Sequence, residues 1–441
     1  MKMKKLIIFI FCVSILLSCK KIGDPELHSI DLNISTIYAS TELGKKLSLN
    51  TVQVKILNVN TNVEKELLTN SSGNVSFDGI SPGVYDISAT IKIPAATYTT
   101  LTGEITDRDV IFNASDKNKI IGLKDSSLSL KLISGNIGDW LIKQIYYAGS
   151  NTTTGASFRD QFIEIYNNTD AVMYADSLYF AEIIGRQSYT NTIYYTLPNG
   201  QLDWSKSLNM PTNIDANNNY VYPKAMFMLP GKGKQYPVQP GASIVIAQTA
   251  INHKAPFTGT DGKTITVRDP SLTIDLSGTD FEAYYAPFLP RPLASDIDNP
   301  AVPNIDVLAY NGTDMLFDNP GRTAFVVFRG NGETDVKNYP QYNYPTIAAP
   351  SSTSDKFYQI PNAIIIDAVE IQPNTASARV PKKLGASLDA GYTFVPNGQY
   401  SSQSVVRKTD KTENGRRILK DTNNSTEDFD YFSLANPRGF K

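Results

Sequence analysis

Two cysteines and two histidines are all that this 441-residue chain holds of the side chains that most often serve as nucleophiles, proton shuttles or soft metal ligands. Cys12 lies inside an apolar run, and Cys19 follows directly on Leu16-Leu17-Ser18. His28 stands near the N-terminus, and His253 falls in a polar loop, where it is expected to face solvent. No Gly-x-Ser-x-Gly turn accompanies His253, so a Ser-His-Asp hydrolase lacks its nucleophile elbow. Paired carboxylates stay open as a catalytic device, because they need only two acids placed by the fold. Asp215-Ala216-Asn217-Asn218-Asn219 offers the oxygens that Ca²⁺ prefers, but it lacks the turn glycine and distal glutamate of an EF-hand loop and reads as a solvated turn. Gly231-Lys232-Gly233-Lys234 lacks P-loop spacing and also reads as a turn. A net charge of −2 with no long basic run gives nucleic acid nothing to hold. The expectation is no catalytic residue, no metal and no cofactor.

Lys2, Lys4 and Lys5 precede an apolar run from Leu6 to Leu17, followed by Ser18-Cys19-Lys20-Lys21. The run is too short to span a bilayer and polar sequence follows it, so residues 1–18 read as a signal peptide. Leu16-Leu17-Ser18-Cys19 resembles the bacterial lipobox, which implies that Cys19 becomes the lipidated first residue of a mature chain and anchors it to the membrane. Each buried methylene contributes about 0.8 kcal/mol, and more than one acyl chain holds stably. Residues 19–26, with Gly23 and Pro25, suit a tether. Cys12 would leave with the leader and Cys19 would carry lipid, so disulfides and thiolate sites are not expected. Lys20 stands where an inner-membrane retention signal has aspartate, which implies the outer membrane. Asp24 and Glu26 resemble the acids of a surface-export signal and imply that the chain faces outward.

The rest of the chain reads as all-β. Tyr 24 and Phe 19 outnumber Met 7, turn formers interrupt the chain at short intervals, and no segment sustains a helical period. Ser29–Ile34 and Thr51–Ile56 alternate polar with apolar residues, the mark of half-buried strands, and Glu64–Thr69 can pair back on Gln53–Val59. Gly73, Phe77 and Pro82-Gly83-Val84-Tyr85 follow; together these resemble the carboxypeptidase regulatory-like domain, which implies a non-enzymatic immunoglobulin-like β-sandwich over residues 27–136. In residues 137–441, Phe162-Ile163-Glu164-Ile165-Tyr166-Asn167, Pro240-Gly241 leading into Ile244–Ala247, Ile364–Glu370, Ser404–Arg407 and Asp421–Phe429 come in an order that resembles the lamin-tail domain. That resemblance implies a second immunoglobulin-like sandwich, with Asp176-Ser177-Leu178 departing from the usual Leu-Ser-Gly. The Asp421–Asp428 loop is expected to be architectural, its side chains fixing backbone amides while Phe429 plugs the core.

The second unit exceeds a lamin-tail domain by a large insertion at about residues 184–361, in which long loops alternate with strand-like runs at Ser271–Leu276, Ile305–Tyr310 and Thr323–Arg329. Long loops on a rigid sheet are where binding usually lives. Trp204 lies in polar sequence with no strand pattern to bury it, and Tyr284 and Tyr285 precede the proline-rich Pro287–Pro292, which can hold Phe288 and Arg291 at the surface. Trp204, Tyr284, Tyr285, Phe288 and Arg291 are therefore the candidate ligand-binding residues, against the plainer reading of a satellite core beneath long loops. The architecture resembles an uncharacterised family of Bacteroidota surface lipoproteins. It implies a non-enzymatic binding or accessory subunit in nutrient capture beside an outer-membrane transporter, with adhesion or scaffolding, or an unrecognised carboxylate-pair hydrolase, as alternatives.

Replacing Cys19 with Ala is expected to abolish lipidation and shift the chain out of the detergent-soluble membrane fraction or leave it as uncleaved precursor. Metabolic labelling with a clickable fatty acid and fractionation check this, and wild-type labelling of the variant would refute the lipobox reading.

Overall fold

A computed structural model of the chain describes residues 29–441 except 104, 105, 107, 108, 126, 135–138, 157, 158, 311 and 331–335. Cys19, the signal peptide, the tether and His28 lie outside the described residues.

Strand β1 (Ile30–Tyr38) buries every second residue, so Ile30, Leu32, Ile34 and Tyr38 enter a core while Asp31 and Asn33 face solvent. It is followed by β2 (Gln53–Asn58), β3 (Glu64–Leu68), β4 (Asn74–Ile80), β5 (Gly83–Ile93), β6 (Val110–Ile121) and β7 (Ser127–Ser134). Gln53 pairs with Leu68 as the alternation predicts. The hydrogen-bonded order is β3-β2-β5-β6-β7-β1-β4. β7 lies parallel to β1 over Ser127–Leu132 but meets β6 only through Ile133 and Ser134, so it carries the ladder from one layer into the other. The two layers close on one core that contains both Phe77 and Tyr85. Ser81-Pro82 makes the short crossing from β4 in one layer to β5 in the other.

The remainder of the chain adds β8 (Trp140–Tyr146), β9 (Phe162–Asn167), β10 (Tyr179–Ile183), β11 (Pro223–Met228), β12 (Ser243–Ala247) and β13 (Phe281–Glu282), then β14 (Asp306–Ala309), β15 (Thr323–Phe328), β16 (Ile365–Ile371), β17 (Ser404–Arg407) and β18 (Phe429–Phe432). One sheet runs β13-β12-β9-β8-β17-β18 and the other β14-β11-β10-β15-β16. Between them Trp140, Ile163, Phe180, Phe227, Phe325 and Val369 form the main core. The five-stranded sheet is buried on its outer face as well, where Tyr179, Met226, Val326 and Phe328 meet Leu384 and Leu388. This explains why β15 reads as a nearly continuous apolar run rather than an alternation. The fold is all-β, as expected, with few and short helices, and no described helix is long and apolar enough to cross a membrane.

Two details of the sequence reading change. Residues 184–361 supply β11, β14 and β15 to one sheet and β12 and β13 to the other, so they build the sandwich instead of decorating it. Ser271–Leu276 is not a strand: Asp269 accepts the Ser271 amide and starts a 3₁₀ turn at Pro270–Leu272, leaving a single bridge at Asp275.

The C-terminal loop is architectural. Asp428 accepts the Thr422 amide at 2.8 Å and its hydroxyl at 2.7 Å, and the Arg407 guanidinium lies 4.7 Å above the Phe429 ring. Phe429 is buried in the main core. Phe429→Ala is expected to cost about 3–5 kcal/mol, the range for a buried aromatic truncated in a core. Urea unfolding measures this, and a loss below about 1 kcal/mol would mean that the loop does not close the sandwich.

Candidate functional site

The aromatic residues singled out from sequence do not form one surface. Trp204 is only 7% exposed: its ring stacks on Tyr222 at 3.6 Å, and Phe357 meets it edge-on. Asn217 accepts its amide at 2.7 Å, so the indole fills a satellite core with Ile184, Leu202 and Met210. Tyr285 is buried in the main core against Phe227, whereas Tyr284 is half-buried. Phe288 is 44% exposed and Arg291 is also at the surface, beside Tyr310, whose hydroxyl donates to the Phe288 carbonyl. The plainer reading therefore holds for Trp204 and Tyr285. His253 is likewise not in solvent. The residue is fully buried, Nε2 lies 3.0 Å from the Thr249 carbonyl, and burial pushes the imidazole below the ordinary histidine value.

The structure instead draws attention to β6. In Ser115-Asp116-Lys117-Asn118-Lys119 every side chain is polar, yet all five are half-buried. Tyr85 pairs with Lys119 and Ile87 with Asp116, so Lys117 and Asn118 together oppose Asp86 alone. This is a β-bulge, with Asn118 in the left-handed region at φ 54°. Asp86 fixes it: one carboxylate oxygen accepts the Asn118 amide at 2.9 Å and the other accepts the Tyr392 hydroxyl at 2.9 Å. A bulge re-aims side chains, and here it turns Lys117 and Asn118 away from the first sandwich and toward the second.

A cleft of about 310 Å³ opens between them. Ser115, Lys117 and Asn118 of β6 and Lys131 of β7 form one wall. Tyr189, Asn199, Gln201, Asn218 and Lys382 form the other. The Asn118 amide donates to the Tyr189 hydroxyl across the cleft at 2.9 Å, and the Tyr189 ring remains 43% exposed. The opposite wall is pre-organised, because Gln201 donates to the Lys382 carbonyl and Asn199 donates to Gln201. The Lys117 side chain is only 15% exposed, with its ammonium 5.1 Å from the Tyr392 ring centroid. Burial pushes its pKa down; Asp86 opposes this, and Lys382 adds to it. Asp116 is the one carboxylate among the described lining residues, and it pairs with Lys119 at 3.3 Å. This arrangement can hold a polar ligand between amides, ammonium groups and an aromatic face; paired-carboxylate chemistry would need a second acid. The polar run within β6 was the sequence signal for the site. Its partners are distant in the chain, so alternation alone could not show it.

Residues 239–434 match the family model described as "Protein of unknown function (DUF4876)". The chain is similar to a solved DUF4876 family protein from Bacteroides thetaiotaomicron VPI-5482, at 24% identity over 91% of this chain and 94% of that one, with a TM-score of 0.49. It is more distantly similar to a Bacteroides eggerthii DSM 20697 chain whose description names it, provisionally, a cell adhesion protein, at 11% identity over 52% of this chain and 82% of that one, with a TM-score of 0.17. No curated protein matches the chain.

The proline-rich segment after Tyr285 is tied down by Asp296, which accepts the Tyr285 amide at 3.0 Å. Burial pushes the Asp296 carboxyl up to about 6, Asp314 adds to the rise, and the Tyr285 amide opposes it. A folded-state pKa above the unfolded one means that the folded chain holds this proton more tightly. The stability it contributes is complete below the unfolded value near 3.8 and is lost as pH rises through about 6. Asp296→Asn keeps an acceptor but not the titration. Its unfolding midpoint should therefore gain on wild type between pH 4 and pH 7 and run parallel above that, as urea titrations at stepped pH would show. A constant difference would refute the assignment.

Proposed function

We propose that this chain is a lipid-anchored, outward-facing outer-membrane protein that binds a polar ligand without transforming it and passes it to an outer-membrane transporter. The cleft between the two sandwiches carries this reading, since a bulge fixed by Asp86 aims Lys117 and Asn118 at a preformed amide wall. The lipobox-like Leu16-Leu17-Ser18-Cys19 supports the location. A second reading, adhesion or envelope scaffolding, has one observation in its favour. Ile193, Tyr195 and Ile347 are exposed side by side, with the Ile347 amide bonded to the Ile193 carbonyl, and such a patch fits a protein partner.

The test is to screen glycans, peptides and esters for both binding and turnover with wild type, Tyr189→Ala and Asn118→Gly, glycine being free to keep the left-handed backbone of the bulge. Retention of a ligand without product, lost in both variants at unchanged unfolding midpoint, is the expected result; turnover of any ligand would overturn the non-enzymatic reading. A transporter barrel should co-purify with the native protein, and its absence across growth conditions would remove the transporter from the proposal.

A further inference from the structure

The Lys117 ammonium group is held in the cleft wall without a hydrogen-bond acceptor among the described residues. Its nearest acidic atom is Asp86 Oδ2 at 3.9 Å, beyond hydrogen-bond reach, and that oxygen is already engaged by the Tyr392 hydroxyl. Its Nζ opens to the cleft, so its N–H groups remain free to make charge-assisted bonds to an anion entering there. Lys131, on the neighbouring strand and the same face, makes no ion pair or hydrogen bond among the described residues, and Lys382 brings a third positive charge. Against these three cations the cleft lining sets Asp116, which is already paired with Lys119, and Asp86 stands behind Lys117. The Lys382 ammonium is itself occupied by the Asp389 and Gly391 carbonyls, which leaves Lys117 and Lys131 as the groups available to a ligand.

The rest of the lining narrows the class. Asn118, Asn199, Gln201 and Asn218 supply amides that both donate and accept, the pattern that matches vicinal hydroxyls. The exposed Tyr189 ring offers an apolar face with a polar tip. The volume lies at the lower end of the range of about 300–1,000 Å³ for ligand pockets, which suits one or two sugar rings. We infer that the cleft binds an acidic saccharide, with its carboxylate or sulfate seated between Lys117 and Lys131 and a sugar ring against Tyr189. This rests on the cleft being the binding site proposed above.

Calorimetry on the full chain at low salt, with digalacturonate, a sulfated chondroitin disaccharide, lactose and AMP as probes, tests it. At least one of the two acidic sugars should bind, with lactose about tenfold weaker or more, as expected for a lost charge-assisted contact. Lys117→Gln and the solvent-exposed Lys131→Gln should each weaken the acidic probe by about tenfold and bring it toward lactose, while Tyr189→Ala should weaken every sugar. Binding of lactose as tight as that of the acids, unmoved by Lys117→Gln and Lys131→Gln but lost in Tyr189→Ala, would overturn the acidic class and leave the cleft as a binding site. Preference for AMP would overturn the saccharide. If no probe binds, the inference fails, and the broader screen of Tyr189 and Asn118 variants then decides separately whether the cleft binds anything.

Discussion

One buried guanidinium ties the two sheets of the second sandwich to its C-terminal loop. Arg407, on β17 of the six-stranded sheet, makes bonds of 2.8 and 2.7 Å to both oxygens of Asp367 on β16 of the other sheet. It also donates to the Ile142 carbonyl on β8, whose amide in turn donates to Asp367. On its far side Asp421 and Asp428 of the C-terminal loop each approach to 3.4 Å. Burial pushes Asp367 and Asp428 toward protonation, and Arg407 opposes this by its charge. Such a cluster adds little net stability compared with an apolar replacement, but removing one member leaves buried charge uncompensated, typically at 3–5 kcal/mol. It joins the two sheets and the loop in a single arrangement.

The loop transmits that arrangement to the first sandwich. Asn113 on β6 donates to the Thr422 carbonyl at 2.6 Å, and Lys55 on β2 pairs with Glu427 at 2.6 Å. Further along the β5–β6 pair, Asp86 meets Tyr392. The outer face of the first sandwich is thereby held at two places against the second, and the cleft lies beside these contacts. The site depends on geometry that no single domain contains: one wall is a strand bulge and the other a set of loops cross-linked by their own amides.

The sequence by itself determined the local structure wherever the driving pattern is local. Period-two alternation fixed β1 and β2, the run Thr323–Arg329 marked β15, and an Asp-rich loop before Phe429 announced a backbone-fixing turn that closes on a buried aromatic. Each of these follows from side chains within a few residues of one another. Tertiary structure decided the fate of Trp204, His253 and Lys117, because burial is set by what covers a residue rather than by its neighbours in the chain. Trp204 sits in polar sequence but receives Tyr222 and Phe357, and His253 is fully buried although its loop is polar. Lys117 looks like a solvated strand residue until Tyr392, nearly three hundred residues away, comes to lie beneath its ammonium group. Partners so far apart in the chain leave no period or motif in either segment, so only the folded contacts bring the cleft into view.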